Sequence, residues 1–172
     1  MSTRGSFIMR KDGVDKELCF PYDAYPDGGG RQVIRVVKTI DLDRLFGLFQ
    51  PDETSDEQDC ERLLTMCENI VHRGEPFHYL LPTPPFIQDS LLCEYAYVVN
   101  LDEQTLEFYV GMQTEPQEGN RYGTEGRPCA TGELFYPCRM LATFSLKLVR
   151  EAETAALSDT MRQMTKEYKA SR

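Results

Sequence analysis

The stretch Tyr22–Gly30 reads Tyr-Asp-Ala-Tyr-Pro-Asp-Gly-Gly-Gly, with Arg31, Arg35 and Lys38 close behind it. Successive backbone N–H groups in a glycine-rich turn ahead of a helix form a concave row of donors that holds an anion. Arg35 and Lys38 are three residues apart and share one side of such a helix. A phosphate or carboxylate is the ligand this pattern suits. The segment lacks the Gly-Lys-Ser/Thr ending of a phosphate-binding loop, and a dinucleotide fingerprint needs a strand–helix–strand setting. The competing reading is a tight turn whose glycines take positive φ. Asp23 and Asp27 offer an acid and a base, or cap neighbouring N–H groups as loop Asp residues commonly do. Arg4 pairs with one of them across the base of a hairpin, or clamps a ligand's carboxylate or phosphate. The candidate ligand-binding set is therefore Arg4, Asp23, Tyr25, Asp27, Gly29 and Arg31.

A second chemistry is open at the N-terminus. Removal of Met1 would leave Ser2, a hydroxyl nucleophile whose own amine serves as base. Metal chemistry finds little: the histidines are His72 and His78, the cysteines stand at 19, 60, 67, 93, 129 and 138, and neither Cys-x-x-Cys nor His-Glu-x-x-His occurs. No cofactor is expected. Apolar neighbours, as in Leu18-Cys19-Phe20 and Leu92-Cys93, mark the cysteines as reduced core thiols.

These residues must be held by elements that the hydrophobic pattern outlines. Lys11-Asp12-Gly13-Val14 separates two apolar runs, which predicts an N-terminal hairpin with Phe7, Met9, Leu18 and Phe20 inward. After the glycine loop, Val33, Ile34, Val37 and Ile40 favour a helix, although the β-branched run keeps a strand open. Leu42, Leu45, Phe46 and Phe49 predict a second helix. Pro51–Glu61 holds six acidic residues and no basic one, with Thr54-x-x-Glu57 and Ser55-x-x-Gln58 as capping boxes. A helix follows, with Cys60, Leu63, Leu64, Cys67, Ile70 and Val71 on one face and Gly74 as its stop. Four prolines between residues 76 and 88 predict an irregular connector pinned by Phe77, Tyr79 and Phe86. Residues 93–100 and 106–110 form a second hairpin. Residues 111–138 read as a long polar surface loop with a mobile tip near Gly119–Gly126. Arg139–Leu148 alternates as a half-buried strand. From Glu151 the chain is helical, with Ala155, Met161, Met164 and Tyr168 as a weak apolar stripe that docks, frays or mediates self-association.

The expected fold class is α+β: a mainly antiparallel sheet built from two hairpins and a further strand, with helices grouped between them and a C-terminal helix. Residues 1–150 form the single domain and 151–172 a helical tail. The chain has 172 residues and a net charge of -9. That charge argues against nonspecific nucleic-acid binding, which needs Lys and Arg to displace counterions. A start without an apolar run, and no stretch long enough to span a bilayer, lead us to expect a cytoplasmic protein with no membrane contact.

Three segments together resemble a family of hypothetical proteins from bacteria, bacteriophages and fungi: Met1-Ser2-Thr3-Arg4-Gly5, Asp23-Ala24-Tyr25-Pro26-Asp27-Gly28-Gly29-Gly30, and Cys93–Asp102. That family opens Met-x-Thr-Arg-Gly and carries Asp-x-Tyr-Pro-x-Gly-x-Gly. The likeness covers residues 1–110. Many of its members have Asn-His shortly before the Asp, where this chain has Pro21 and Tyr22, so an activity resting on that His would be absent here. The resemblance implies a site at Arg4, Asp23, Tyr25, Asp27 and Gly29, and no reaction.

The residues favour a non-enzymatic binding module for a small anionic ligand or a partner protein. Interference with a host process would be its natural use if the chain is phage-encoded. The alternatives are an N-terminal-nucleophile amidohydrolase using Ser2, and a structural protein that forms homo-oligomers through the C-terminal helix.

Overall fold

Asp12 and Gly13 both take positive φ, 52° and 73°, the conformation a two-residue turn needs to join two right-twisted strands. They link β1 (Gly5–Lys11) to β2 (Val14–Phe20), with Phe7 opposite Leu18. The computed structural model describes residues 3–55 and 62–172. A π-helical turn at Pro26–Gly30 leads into α1 (Arg31–Thr39), then α2 (Leu42–Leu48), β3 (Phe49–Pro51), α3 (Leu63–Arg73) and β4 (Phe77–Tyr79). The second hairpin is β5 (Tyr95–Asn100) and β6 (Thr105–Val110). After the two-residue strands β7 (Arg127–Pro128) and β8 (Leu134–Phe135) come β9 (Arg139–Ser145), α4 (Leu146–Glu151) and α5 (Thr154–Ala170).

The main sheet has the order β2-β1-β5-β6-β9. It is mixed, because β1 and β5 pair in parallel at its centre, Phe7 beside Tyr97. The α+β class, the two hairpins and the further strand β9 are as expected, whereas the expected mainly antiparallel sheet is mixed, its hairpins joined by a parallel pair. Antiparallel hairpins announce themselves by local turns, but this parallel pairing joins residues ninety positions apart, Gly5 with Tyr95, and leaves no local mark.

Both faces of the sheet are covered. On one, Phe7, Met9, Leu18 and Phe20 join Tyr97, Val99, Leu106 and Phe108 beneath α1, α2, α3 and α5, which contribute Ile34, Leu45, Leu63 and Met161. On the other, Ile8, Ala96, Val98 and Tyr109 lie beneath Ile87, Cys93, Tyr122 and Cys138. Residues 111–138, expected as a polar surface loop, thus supply the second covering layer, with Tyr122, Phe135 and Cys138 buried and β7 paired to β8. A fully buried aliphatic or aromatic side chain contributes roughly 1.5–3 kcal/mol, so this layer is held by its own small core.

The helices hold as read, with refined limits. α3 ends at Gly74, whose φ of 66° is the left-handed stop that glycine suits. The capping boxes of the acidic run depend on Glu57 and Gln58, which lie outside the described residues, as does Cys60. The alternation expected over Arg139–Leu148 breaks twice: the register shifts between Phe108 and Tyr109, leaving Leu141 as an extra residue, and Leu146 already begins α4 behind the Ser145 cap. Residues 151–172 are a helical segment packed on the body through Leu157 and Met161. Among the described residues no helix is long and apolar enough to cross a membrane.

The coil-covered face carries two carboxylates in one row, Glu17–Ile8–Val98–Glu107. Glu107 is pushed up by burial, but Arg121 grips it with two nitrogens at 2.6 and 2.8 Å, and Asn100 and Tyr109 donate as well, so its carboxyl is held below the ordinary value. Glu17, 2% exposed, has no such cation: it accepts from Ser6 Oγ at 2.6 Å and from the backbone N–H groups of Phe86 and Ile87, and burial raises it. A raised native value means the native state keeps this proton longer than the unfolded chain. The contribution is full below the ordinary pH near 4.5 and is lost as pH rises through the native value. Glu17→Gln abolishes that part of the pH dependence. In chemical denaturation the variant's stability relative to wild type is expected to rise with pH from about 4.5 upward; a flat difference across pH 4–8 would contradict it.

Candidate functional site

The chain leaves β2 at Phe20 and turns back through Asp23, a non-glycine residue at φ 53°, a conformation Asp tolerates better than most. Ala24 N–H then donates to Thr3 C=O at 3.0 Å, and Ala24 C=O accepts from the buried Tyr97 hydroxyl at 2.8 Å. The π-helical turn is closed from within: Gly28 and Gly30 N–H donate to Tyr25 C=O, and Gly29 N–H to Asp23 C=O. Those three amides are committed to the turn and form no anion cradle.

Close approach explains the glycines. A Cβ on Gly28 would lie 2.3 Å from the Asp23 carbonyl oxygen, and one on Gly30 would lie 2.9 Å from the Tyr97 hydroxyl. Gly29 is buried beneath the loop, against Phe20 and Ala24.

The outer side of the turn meets α5. Arg31 Nε donates to Ser158 Oγ at 3.0 Å. Asp27 faces Arg162 at 3.3 Å and, more loosely, Arg31 at 4.0 Å. Its Oδ1 is buried with no hydrogen-bond donor. Beside this contact lies a hollow of about 290 Å³ walled by Tyr25, Pro26, Asp27, Tyr95, Lys166 and Lys169. A second, of about 320 Å³, lies next to it at the ends of β5 and β6, with Glu94, Met112, Tyr168 and Arg172 in its wall. Tyr95 and Lys169 line both, so the two hollows adjoin along α5. Lys169 Nζ stands 6.0 Å from the centre of the Tyr95 ring, a cation–π distance. Asp23 beside Tyr25, with some burial, raises that phenol, which therefore stays protonated as a donor.

The six residues singled out from sequence divide accordingly. Tyr25 and Asp27 line the groove. Asp23 shapes the turn and neighbours Tyr25. Gly29 is packing, and Arg31 fastens the turn to α5. Arg4 is exposed, its carbonyl accepting from Glu94 N–H at 2.9 Å, and it forms no ion pair among the described residues. Lys38 donates to the carbonyls of Arg150 and Ala152 at the end of α4, while Arg35 is exposed away from the groove's lining. Ser2 lies outside the described residues. Sequence reasoning missed Tyr95, Arg162, Lys166 and Lys169. The last three recur at i, i+4 and i+7, the helical spacing that places cations on one face, and that spacing was there to be read. A hollow of about 490 Å³ between α3 and β4, lined by Arg62, Met66, Ile70, Arg73 and Phe77, gathers none of these residues. Among the described residues no three His, Cys, Asp or Glu side chains converge on a point where a metal would sit.

The loop geometry gives a paired expectation. Gly28→Ala forces a methyl against a backbone carbonyl and should cost about 1–3 kcal/mol. Gly47→Ala, inside α2 with nothing within 4 Å of the new methyl, should gain about 0.5–1 kcal/mol. Denaturant midpoints of the two variants check both signs. Compared with protein families, with curated proteins and with solved structures, the chain matches none.

Proposed function

We propose that this protein is a non-enzymatic binding module whose groove between the glycine-rich turn and α5 holds a small anionic ligand. The observation that carries the reading is a local reversal of charge. The whole chain has a net charge of -9, yet from Arg162 to Arg172 the sequence runs Arg, Lys, Lys, Arg with Glu167 as its single acid. Lys166 and Lys169 are exposed and form no ion pair among the described residues. Two unpaired ammonium groups beside half-exposed tyrosine rings attract an anion and give its apolar part a surface to lie on. Tyr25, at 40% exposure, presents its ring to the groove. Recognition here rests on side chains, since the turn's own amides are occupied.

The turn that builds one wall is also the motif by which this chain resembles the family of bacterial, phage and fungal hypothetical proteins above.

Thermal stability against a panel of nucleotides and sugar phosphates tests the function. A ligand that binds only the folded chain should stabilise it by about 2.7 kcal/mol at 100-fold its Kd. The double variant Lys166→Ala/Lys169→Ala, both at exposed positions, should fold normally and lose most of that gain. If no compound shifts wild type, the anion-binding reading fails.

A further inference from the structure

The groove between the glycine-rich turn and α5 is the hollow of about 290 Å³. Small-molecule pockets begin at about 300 Å³, so it has room for one compact ligand. Four charged side chains line it: Asp27 from the turn, and Arg162, Lys166 and Lys169 from α5. Asp27 is answered within the protein, by Arg162 at 3.3 Å and more loosely by Arg31 at 4.0 Å. Arg162 is held in addition by Asp159 at 3.0 Å. These two carboxylates and two guanidinium groups cancel. The other nearby acids do not line the hollow: Glu167 accepts from Gln163 Nε2 at 3.0 Å, Glu94 shares the adjoining wall with Arg172, and Asp23 lies beside Tyr25. Two ammonium groups are left uncompensated in the lining, Lys166 and Lys169, three residues apart on one side of α5.

Two positive charges without an acid to meet them call for two negative charges on one ligand. A phosphate monoester carries close to two at neutral pH, its second proton leaving at about pH 6, whereas a phosphodiester carries one. A neutral donor does not take the place of charge here, because the Thr165 hydroxyl is spent on the Met161 carbonyl at 2.9 Å. The rest of the lining is Tyr25, Pro26 and Tyr95, ring surfaces with little to offer a sugar. Tyr95 is fixed by stacking on Phe108, centroids 6.2 Å apart and planes 9° from parallel, and Lys169 Nζ stands over it at 6.0 Å. A flat group laid against these tyrosines gains stacking contact and brings its anion beside Lys169.

Resting on the anion-binding reading above, we propose that the ligand is a phosphate monoester carrying a flat ring, bound as its dianion. The ring lies against Tyr25 and Tyr95, and the phosphate sits between Lys166 and Lys169. A nucleoside monophosphate and an aryl phosphate share this chemistry.

Calorimetry on the full chain at low ionic strength, where exposed charges are least screened, tests both halves. The probes are AMP, phenyl phosphate, the phosphate methyl ester of each, and glycerol phosphate. The tighter of AMP and phenyl phosphate identifies the source of the ring, and it should bind about tenfold or more tightly than glycerol phosphate, which has no ring. Its methyl ester, with the same ring and one charge fewer, should bind about tenfold or more weakly. Its affinity should fall about three- to fourfold from pH 7.5 to 5.5 as the phosphate gains a proton, while the methyl ester's stays level. No histidine lines the hollow, so that fall reports the ligand. Lys169→Gln, with an unchanged melting temperature, should narrow the gap between monoester and methyl ester to about threefold. Methyl esters binding as tightly as their parents would overturn the dianion assignment, and glycerol phosphate binding as tightly as AMP and phenyl phosphate would overturn the ring. Either result leaves the anion site standing, whereas silence from every anion would bring down the underlying reading with it.

Discussion

The parallel pairing of β1 with β5 is the constraint from which the other features follow. A central parallel pair is flanked on both sides by further strands and has to be covered on both faces. Its connection must also leave the sheet and return, which a tight turn cannot do. Here that return occupies residues 21–94 and carries the glycine turn and α1–α3. The helices cover one face. The segments around Ile87 and Tyr122 cover the other, where regular structure is scarce and the second core is small. The same pairing brings Tyr97 under Ala24, so one buried hydroxyl at 2.8 Å fixes the turn to the sheet. Losing that donor would leave a buried carbonyl unmet, at a cost of about 1–3 kcal/mol.

The coil-covered face shows how one row of a sheet can hold two carboxylates in opposite states. Glu107 is met by a guanidinium with two parallel bonds, which outweigh its burial. Glu17 is met only by neutral donors, and burial wins. Its two backbone bonds anchor the Phe86–Gln88 turn to β2, so a group that is expensive to ionise also holds the covering layer in place. Lys16, on the neighbouring position, points to the helix side instead, where its ammonium bonds the Phe46 and Phe49 carbonyls at 2.6 Å each and closes the end of α2.

Local features were legible in the residues. Asp12-Gly13 specified a hairpin turn, and the i, i+3, i+4 spacings of Val33–Val37 and Leu42–Leu45 specified helices over β-branched propensity. Gly74 marked a helix end. What stayed hidden was non-local. No residue of β1 announces β5 as its parallel neighbour, and in the short parallel pair β3–β4 Phe49 read as the end of the second helix and Phe77 as irregular connector. Tyr122 and Cys138 sit in a segment whose composition is polar, and their burial depends on a sheet face that only the topology creates. At the candidate site, the loop's glycines and aspartates stood out by type, but their use was ambiguous. Backbone hydrogen bonding made the glycines a wall and not a cradle, and the docking of α5 brought in Lys166 and Lys169 from more than 130 residues away.

That docking makes the groove in which we propose that the anion binds. Amide hydrogen exchange of the full chain, with and without a saturating concentration of whichever nucleotide or sugar phosphate stabilises it most, reads the location directly. The account predicts slowed exchange in two segments distant in sequence, residues 23–30 and 162–172, with the Arg62–Phe77 region unchanged. Slowing confined to Arg62–Phe77, or to neither segment while the ligand is bound, would contradict it.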